Sequence, residues 1–185
     1  MTPPPPAVRP GARTGSAATR DQQRARVYRA EDRWSDQLDA ARRGARSATV
    51  AGSSLLLPAE RRFGSLEAAA SYAERVLALP DVLDLAPDLP LPVLRVRRGV
   101  RAAHWEPPGT IAVPVPVHGE PWALREAVLL HELAHHVGER GGLSRGHRPP
   151  FPALVLVLVS AALGVEAALA LRVAYGQEDV EVGAP

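Results

Sequence analysis

An apolar segment at residues 121–137, PWALREAVLLHELAHHV, carries two histidines and a glutamate at a regular spacing. Its composition favours a helix, and Pro121 suits the first helical turn, where a missing N–H costs nothing. On a helix, His131 and His135 share one face, so both imidazoles can reach one metal ion. Glu132 lies about 100° further around the helix and can reach a water beside that ion. The segment therefore predicts a buried metal-binding helix.

A structural role for these side chains is the alternative, because histidines also occur as hydrogen-bonded residues of protein cores. The motif is flanked by Leu129, Leu130, Leu133 and Val137. These apolar neighbours predict a buried helix, and a buried polar side chain needs a partner. Four of the six histidines also fall within residues 131–147, which favours the metal site.

Two histidines leave a metal site incomplete, because a catalytic zinc ion usually has three protein ligands. The first candidate for the third ligand is His147, which follows the glycine-rich segment GERGGLSRG and precedes an apolar run. The rival is Glu166, which lies on a later predicted helix shortly after Gly164. An acidic residue in a first helical turn is already explained by the helix dipole. His147 is therefore the preferred third ligand.

The other histidines are expected to have different roles. His136 is rotated about 100° from His135 around the same helix, so it cannot easily share the metal, and a supporting or packing role is predicted. His104 and His118 lie near strand-like segments, where a core or surface role is the simplest interpretation.

Composition limits the class of protein. A chain of 185 residues with 46% hydrophobic residues is large enough for one packed domain. It contains no cysteine, which excludes disulfides and thiolate ligands and suits a reducing cytoplasm. A net charge of +2 is too small to indicate a nucleic-acid partner.

The predicted domain organisation is a single unit with two tails. Residues 1–18 are rich in proline and lack the apolar stretch of a signal peptide, so a disordered tail is expected. Residues 19–177 form the predicted domain, and residues 178–185 are expected to be a flexible C-terminal tail.

The apolar run at residues 153–171 approaches the length of a membrane span. Gly164 divides this run and Glu166 interrupts it. We therefore predict two short helices, at about 152–163 and 165–175, which cover the metal helix, and no membrane association.

The remaining segments predict alternating helices and strands. A helix is expected after Thr19 and another after Ser65, since both residues are good N-caps. The predicted order before the metal helix is a helix at 20–43, a strand pair within 47–58, a helix at 65–79, a turn-rich connector at 80–92, and strands within 93–106 and 110–117.

Several segments resemble known families. TIAVP, WALREAVLLHELAHHV and GHRPPF are similar to zincin-like metallopeptidases of the SprT-like kind. RDQQRARVYRAED, LPAERRFGSLEAAASYAERVLALP and EAALALRVAYG resemble a family of actinobacterial HExxH metallohydrolases over about residues 19–177. The resemblance implies a zincin-like α+β fold, with a small mixed sheet before the active-site helix and covering helices after it. It also implies zinc ligands at His131, His135 and His147, and a general base at Glu132.

The expected function is that of a zinc-dependent hydrolase, and more narrowly a metallopeptidase, in which Glu132 deprotonates a water activated by the metal. The strand with Ile111, Val113 and Val115 is expected at a sheet edge, where an extended peptide or protein substrate could pair with it. Tyr28, Trp105 and His104 are candidates for stabilising the charge that develops. The alternatives are a non-catalytic zinc-binding domain and a DNA-associated protein.

Overall fold

The computed structural model describes residues 22–98, 102–114 and 123–185. These residues form a mixed α+β structure, as predicted, with six helices and two small sheets. The predicted tail at 1–18, the cap at Thr19, and His118 lie outside the described residues. The helices are α1 (Gln22–Arg42), α2 (Leu66–Leu77), α3 (Pro80–Leu85), α4 (Glu126–Gly141), α5 (Pro150–Leu163) and α6 (Val165–Gln177).

The sheets contain two and three strands. Strand β1 (Ser47–Val50) pairs with β2 (Ser53–Leu56) in the predicted antiparallel hairpin. The second sheet has the order β3 (Val93–Arg97), β5 (Thr110–Pro114), β4 (His104–Glu106), with β3 parallel and β4 antiparallel to β5. It is therefore a mixed sheet that precedes α4 in the chain.

The strand that was predicted at a sheet edge lies at the centre. The segment 93–106 forms two strands that pair with opposite sides of β5, so the main chain of β5 is used within the sheet. Ile111 and Val113 are buried on it, and Val115 lies outside the described residues. The edge strand that packs beside α4 is β4.

Helix α4 begins later than its sequence predicts. The backbone at 124–126 pairs with residues 61–63 through hydrogen bonds and a bridge between Arg62 and Arg125. This pairing holds the chain extended, so the first helical residue is Glu126. Pro121, which was expected in the first turn, lies outside the described residues. The carboxylate of Glu60 then accepts the N–H of Ala127 and satisfies an amide at the helix start.

Helix α5 is apolar around most of its circumference because it is enclosed by other elements. It packs against α4 on one side and α6 on another, and Phe151, Leu154 and Val159 are fully buried. Gly164, with a φ of 102°, separates α5 from α6, as predicted. No helix within the described parts of the chain is long and apolar enough to cross a membrane.

Helix α1 completes this helical layer. It packs on α6, and the indole N–H of Trp34 donates to the carbonyl of Ala167 at 3.1 Å.

The predicted helix after Ser65 is confirmed as α2, where the Ser65 hydroxyl accepts the N–H of Ala68. The connector at 80–92 was predicted without a helix. It contains the short α3, which starts at Pro80 and buries Val82.

Residues after α6, in the segment 178–185 that was expected to be a flexible tail, contact the domain. The Glu178 carboxylate contacts Arg29 and Arg33 on α1, each at 2.7 Å. Val180 is buried, and the N–H of Gly183 donates to the carbonyl of Pro149 at 2.8 Å. The terminal segment therefore has core and hydrogen-bond partners within the domain.

Candidate metal centre

Three histidine side chains lie close together beside α4. His131 and His135 lie one turn apart on α4, and His147 precedes α5. One ring nitrogen from each lies within 4.8 Å of the others, and this three-histidine group could hold a metal ion. The Nε2 atoms of His131 and His147 are 3.4 Å apart. Tetrahedral zinc with Zn–N bonds of about 2.0–2.1 Å places its ligand nitrogens about 3.3–3.4 Å apart, so the pair fits such an ion.

The reversal after α4 places His147 beside the other two histidines. Gly142 ends the helix with a φ of 71°, a conformation that glycine adopts without strain. Gly138 lets α5 pass close to α4, since an added Cβ would lie 3.0 Å from a methyl of Leu154. The Gln23 side chain donates to the carbonyl of His147 at 3.0 Å and fixes this turn to α1.

Two aromatic rings enclose the three-histidine group. The buried Phe151 stacks on His135, with ring centroids 4.2 Å apart, and meets the other two rings edge-on. Tyr28 on α1 stacks on His131 at 5.2 Å and contacts His147 at 5.3 Å. These contacts restrict the imidazole orientations and keep the group in a poorly hydrated environment.

Burial keeps two of the three histidines neutral. It lowers the pKa of His135 to about 2 and that of His147 to about 3, and the charge of His131 acts in the same direction. Neutral imidazole is the form that binds a metal. Burial also lowers the pKa of His131, but the charge and hydrogen bond of Glu31 outweigh it, and the net shift is upward.

Sequence reasoning missed Glu31. Its Oε2 lies 2.7 Å from Nδ1 of His131, and its Oε1 accepts the hydroxyl of Tyr175 at 2.8 Å. A signal was present, because Glu31 stands four residues after Val27 and three before Trp34, on the apolar stripe of α1. A carboxylate on that stripe needs a buried partner, but the stripe does not identify it.

Glu132 lies beside the group and is 4% exposed. Burial raises the pKa of its carboxyl, while the charge of His131 and a hydrogen bond from the backbone N–H of Trp105 partly offset this. A cavity of about 400 Å³ opens next to it. Among the described residues, the cavity is lined by Glu132, His131, Tyr28, Val128 and Ala103, among others. The candidate base therefore faces a space that can admit a substrate.

The remaining histidines serve other contacts. His136 is fully buried, and its Nε2–H donates to the carbonyl of Pro90 at 2.7 Å while Nδ1 accepts the indole N–H of Trp105 at 3.2 Å. Both ring nitrogens are used, in agreement with the predicted supporting role. His104 contacts Arg97 and Glu106 on the sheet, each at 2.7 Å.

The rival ligand lies elsewhere. Glu166 is exposed in the first turn of α6 and does not belong to the three-histidine group. Within residues 22–98, 102–114 and 123–185, this is the one group of three or more side chains placed to share a metal ion. Of the candidates for stabilising charge, only Tyr28 contacts the ligands and lines the cavity.

Comparison of the chain with protein-family models, with curated proteins and with solved structures gives no match. The site itself is therefore the basis on which a function is proposed.

Proposed function

We propose that this protein is a zinc-dependent hydrolase, and more narrowly a metallopeptidase of zincin-like type. The observation that carries the proposal is the convergence of three imidazoles beside a buried glutamate that borders an open cavity. His131, His135 and His147 would hold the metal. The family resemblance proposed from the sequence implies the same assignment.

Zinc suits this ligand set. Structural zinc sites are usually closed by four protein ligands, whereas catalytic sites use three and leave one position open. When bound, zinc supplies an acidified water and a polarised substrate carbonyl. Three histidines without a cysteine therefore favour a catalytic site over a structural one.

Glu132 is the proposed general base. A carboxyl whose pKa is raised by burial is better matched to proton transfer near neutral pH than an exposed one. Its carboxylate takes a proton from the attacking water and delivers it to the leaving nitrogen of the peptide bond. The backbone of Trp105 lies beside this carboxylate and stabilises its charged form. Tyr28 is the proposed donor to the carbonyl oxygen as negative charge develops there.

The position of strand β4 favours a peptide as the substrate. Among the described strands it pairs with β5 alone, and its middle residue, Trp105, lies next to the base. An extended peptide can add to such an edge through main-chain hydrogen bonds, with its scissile bond near α4. The role predicted for the strand with Ile111 and Val113 is therefore proposed for β4 instead.

A peptide-cleavage screen tests the proposal. The purified protein, loaded with zinc, is incubated with a mixed peptide library and the products are read by mass spectrometry. We expect cleavage that stops with a chelator and returns with added zinc, and none with the Glu132→Gln variant. A protein that binds zinc but cleaves no peptide or protein substrate in the screen would instead be a non-catalytic zinc-binding domain.

A further inference from the structure

Glu31 joins three helices at the metal centre. It lies on α1 and contacts His131 on α4 through one carboxylate oxygen and Tyr175 on α6 through the other. The side chains of Glu31 and His131 are 14% and 6% exposed, and Tyr175 is fully buried. Trp34, one turn after Glu31, ties α1 to α6 through Ala167. The carboxylate is therefore held at a fixed position relative to both neighbouring helices.

The contact at Nδ1 determines which nitrogen of His131 can bind a metal. A neutral imidazole carries its proton on one nitrogen and a lone pair on the other. A carboxylate at Nδ1 favours the proton on that atom, so the lone pair is left on Nε2. That Nε2 is the atom 3.4 Å from Nε2 of His147. Glu31 thus selects the tautomer in which His131 faces the other ligands.

The partners of Glu31 differ from those of other buried carboxylates. Glu60 is paired with Arg125, Glu126 with Arg61, and Glu178 with two arginines. Glu31 is instead hydrogen-bonded to His131 and Tyr175. Its carboxylate charge acts directly on the ring of His131 and would also stabilise a cation bound to that ring.

We infer that Glu31 is a positioning residue for the metal ligand His131, and that Tyr175 positions Glu31 in turn. The inference rests on the proposed metal site. Tyr175 donates to Oε1, which keeps Oε2 directed at His131. Partners of this kind orient the ligand ring and raise its basicity, and their loss typically costs about 10–100-fold in metal affinity.

Zinc titration against a competing chelator tests this role without any assay of hydrolysis. We expect Glu31→Ala to bind zinc about 10–100-fold more weakly than the wild type. The zinc affinity of Glu31→Gln should lie between those of Glu31→Ala and the wild type, because its amide oxygen can still accept from Nδ1–H but carries no charge. Tyr175→Phe should weaken binding by a smaller factor.

A matched control separates positioning from general stability. Tyr72 donates to Glu126 in a second buried tyrosine–glutamate pair, away from the three-histidine group. Tyr72→Phe should lower the Tm as Tyr175→Phe does, yet leave the zinc affinity unchanged. Equal loss of affinity in both variants would overturn the positioning role.

Nuclear magnetic resonance of the zinc-loaded protein gives a second readout. The His131 Nδ1–H resonance should lie downfield in the wild type, as in a short hydrogen bond to a carboxylate, and move upfield in Glu31→Gln. If Glu31→Ala fails to fold, Glu31→Gln and Tyr175→Phe carry the test. Wild-type zinc affinity in these folded variants would overturn the inference.

His135→Ala distinguishes the two ways in which the inference can fail. If His135→Ala loses zinc while the Glu31 variants keep it, the metal site stands and the positioning role is wrong. If His135→Ala keeps zinc, the metal site is wrong and the positioning role falls with it.

Discussion

The indole N–H of Trp105 donates to Nδ1 of His136 at 3.2 Å, and the backbone of Trp105 lies beside the carboxylate of Glu132, whose charged form it stabilises. One residue of strand β4 thus contacts two side chains of α4. The strand proposed to bind substrate is therefore adjacent to the base proposed to act on it.

Glu132→Gln should keep zinc and lose hydrolysis. The amide is nearly isosteric with the carboxylate and can still accept from Trp105, so α4 and the ligands stay in place. It cannot take a proton, and loss of a general base typically costs about 10²–10⁴-fold in rate. Paired measurements of zinc content and kcat on one peptide substrate check this. Retained activity would assign the base to another residue.

His147→Ala should weaken zinc binding by orders of magnitude, because one of three ligands is lost. Glu166→Ala removes an exposed acid from the first turn of α6 and should cost only about 0.3–1 kcal/mol of stability. Zinc titration and urea unfolding of both variants make the comparison. Loss of zinc binding in Glu166→Ala but not in His147→Ala would identify Glu166 as the third ligand.

The metal-free protein should lose stability through His135 as the pH falls. The pKa of His135 is about 2 when folded and 6.5 when unfolded, so between these values the unfolded chain binds a proton that the folded chain does not. Stability from this residue is therefore present above pH 6.5 and is lost as the pH falls toward 2.

Urea unfolding in the presence of a chelator measures this effect at about pH 7.5 and pH 5, on either side of the unfolded pKa. The loss of stability on acidification should be smaller in His135→Gln, which lacks the titrating ring. The variant thereby controls for all other groups, including His131, whose raised pKa acts in the opposite direction. An equal loss in both proteins would show that His135 is not buried as described.

Gly138→Ala should destabilise the domain. Its Cβ would lie 3.0 Å from Leu154 and 3.1 Å from Ser144, so α5 and the turn after α4 would have to move. Overpacking of this kind costs about 1–3 kcal/mol. Gly176→Ala on α6 is the control, since an added Cβ there meets open space. This substitution should raise stability by about 0.5–1 kcal/mol, because alanine is a better helix former than glycine. Thermal unfolding of both variants checks the contrast.

The sequence predicted features that depend on helical spacing or on neighbouring residues. The spacing of His131 and His135 on α4, the cap at Ser65 and the break at Gly164 all depend on neighbouring residues, and the structure contains each of them. His147 could be predicted as the third member of the group because the glycine-rich segment before it allows the chain to fold back toward α4.

Contacts between segments that are distant in the chain could not be predicted from neighbouring residues. Glu31 and Tyr175 are separated by 144 positions and meet only because α1 packs on α6. The start of α4 depends on pairing with residues 61–63, and the central position of β5 depends on which strands flank it. Each outcome is decided by tertiary packing, which overrides local propensity.

Elemental analysis of the protein, purified without chelator, tests the metal site most directly. We predict about one zinc ion per chain, lost in His135→Ala and restored to the stripped wild type by added zinc. A protein without bound metal after purification, and without metal after reconstitution with zinc, would contradict the metal centre and the hydrolase function proposed from it.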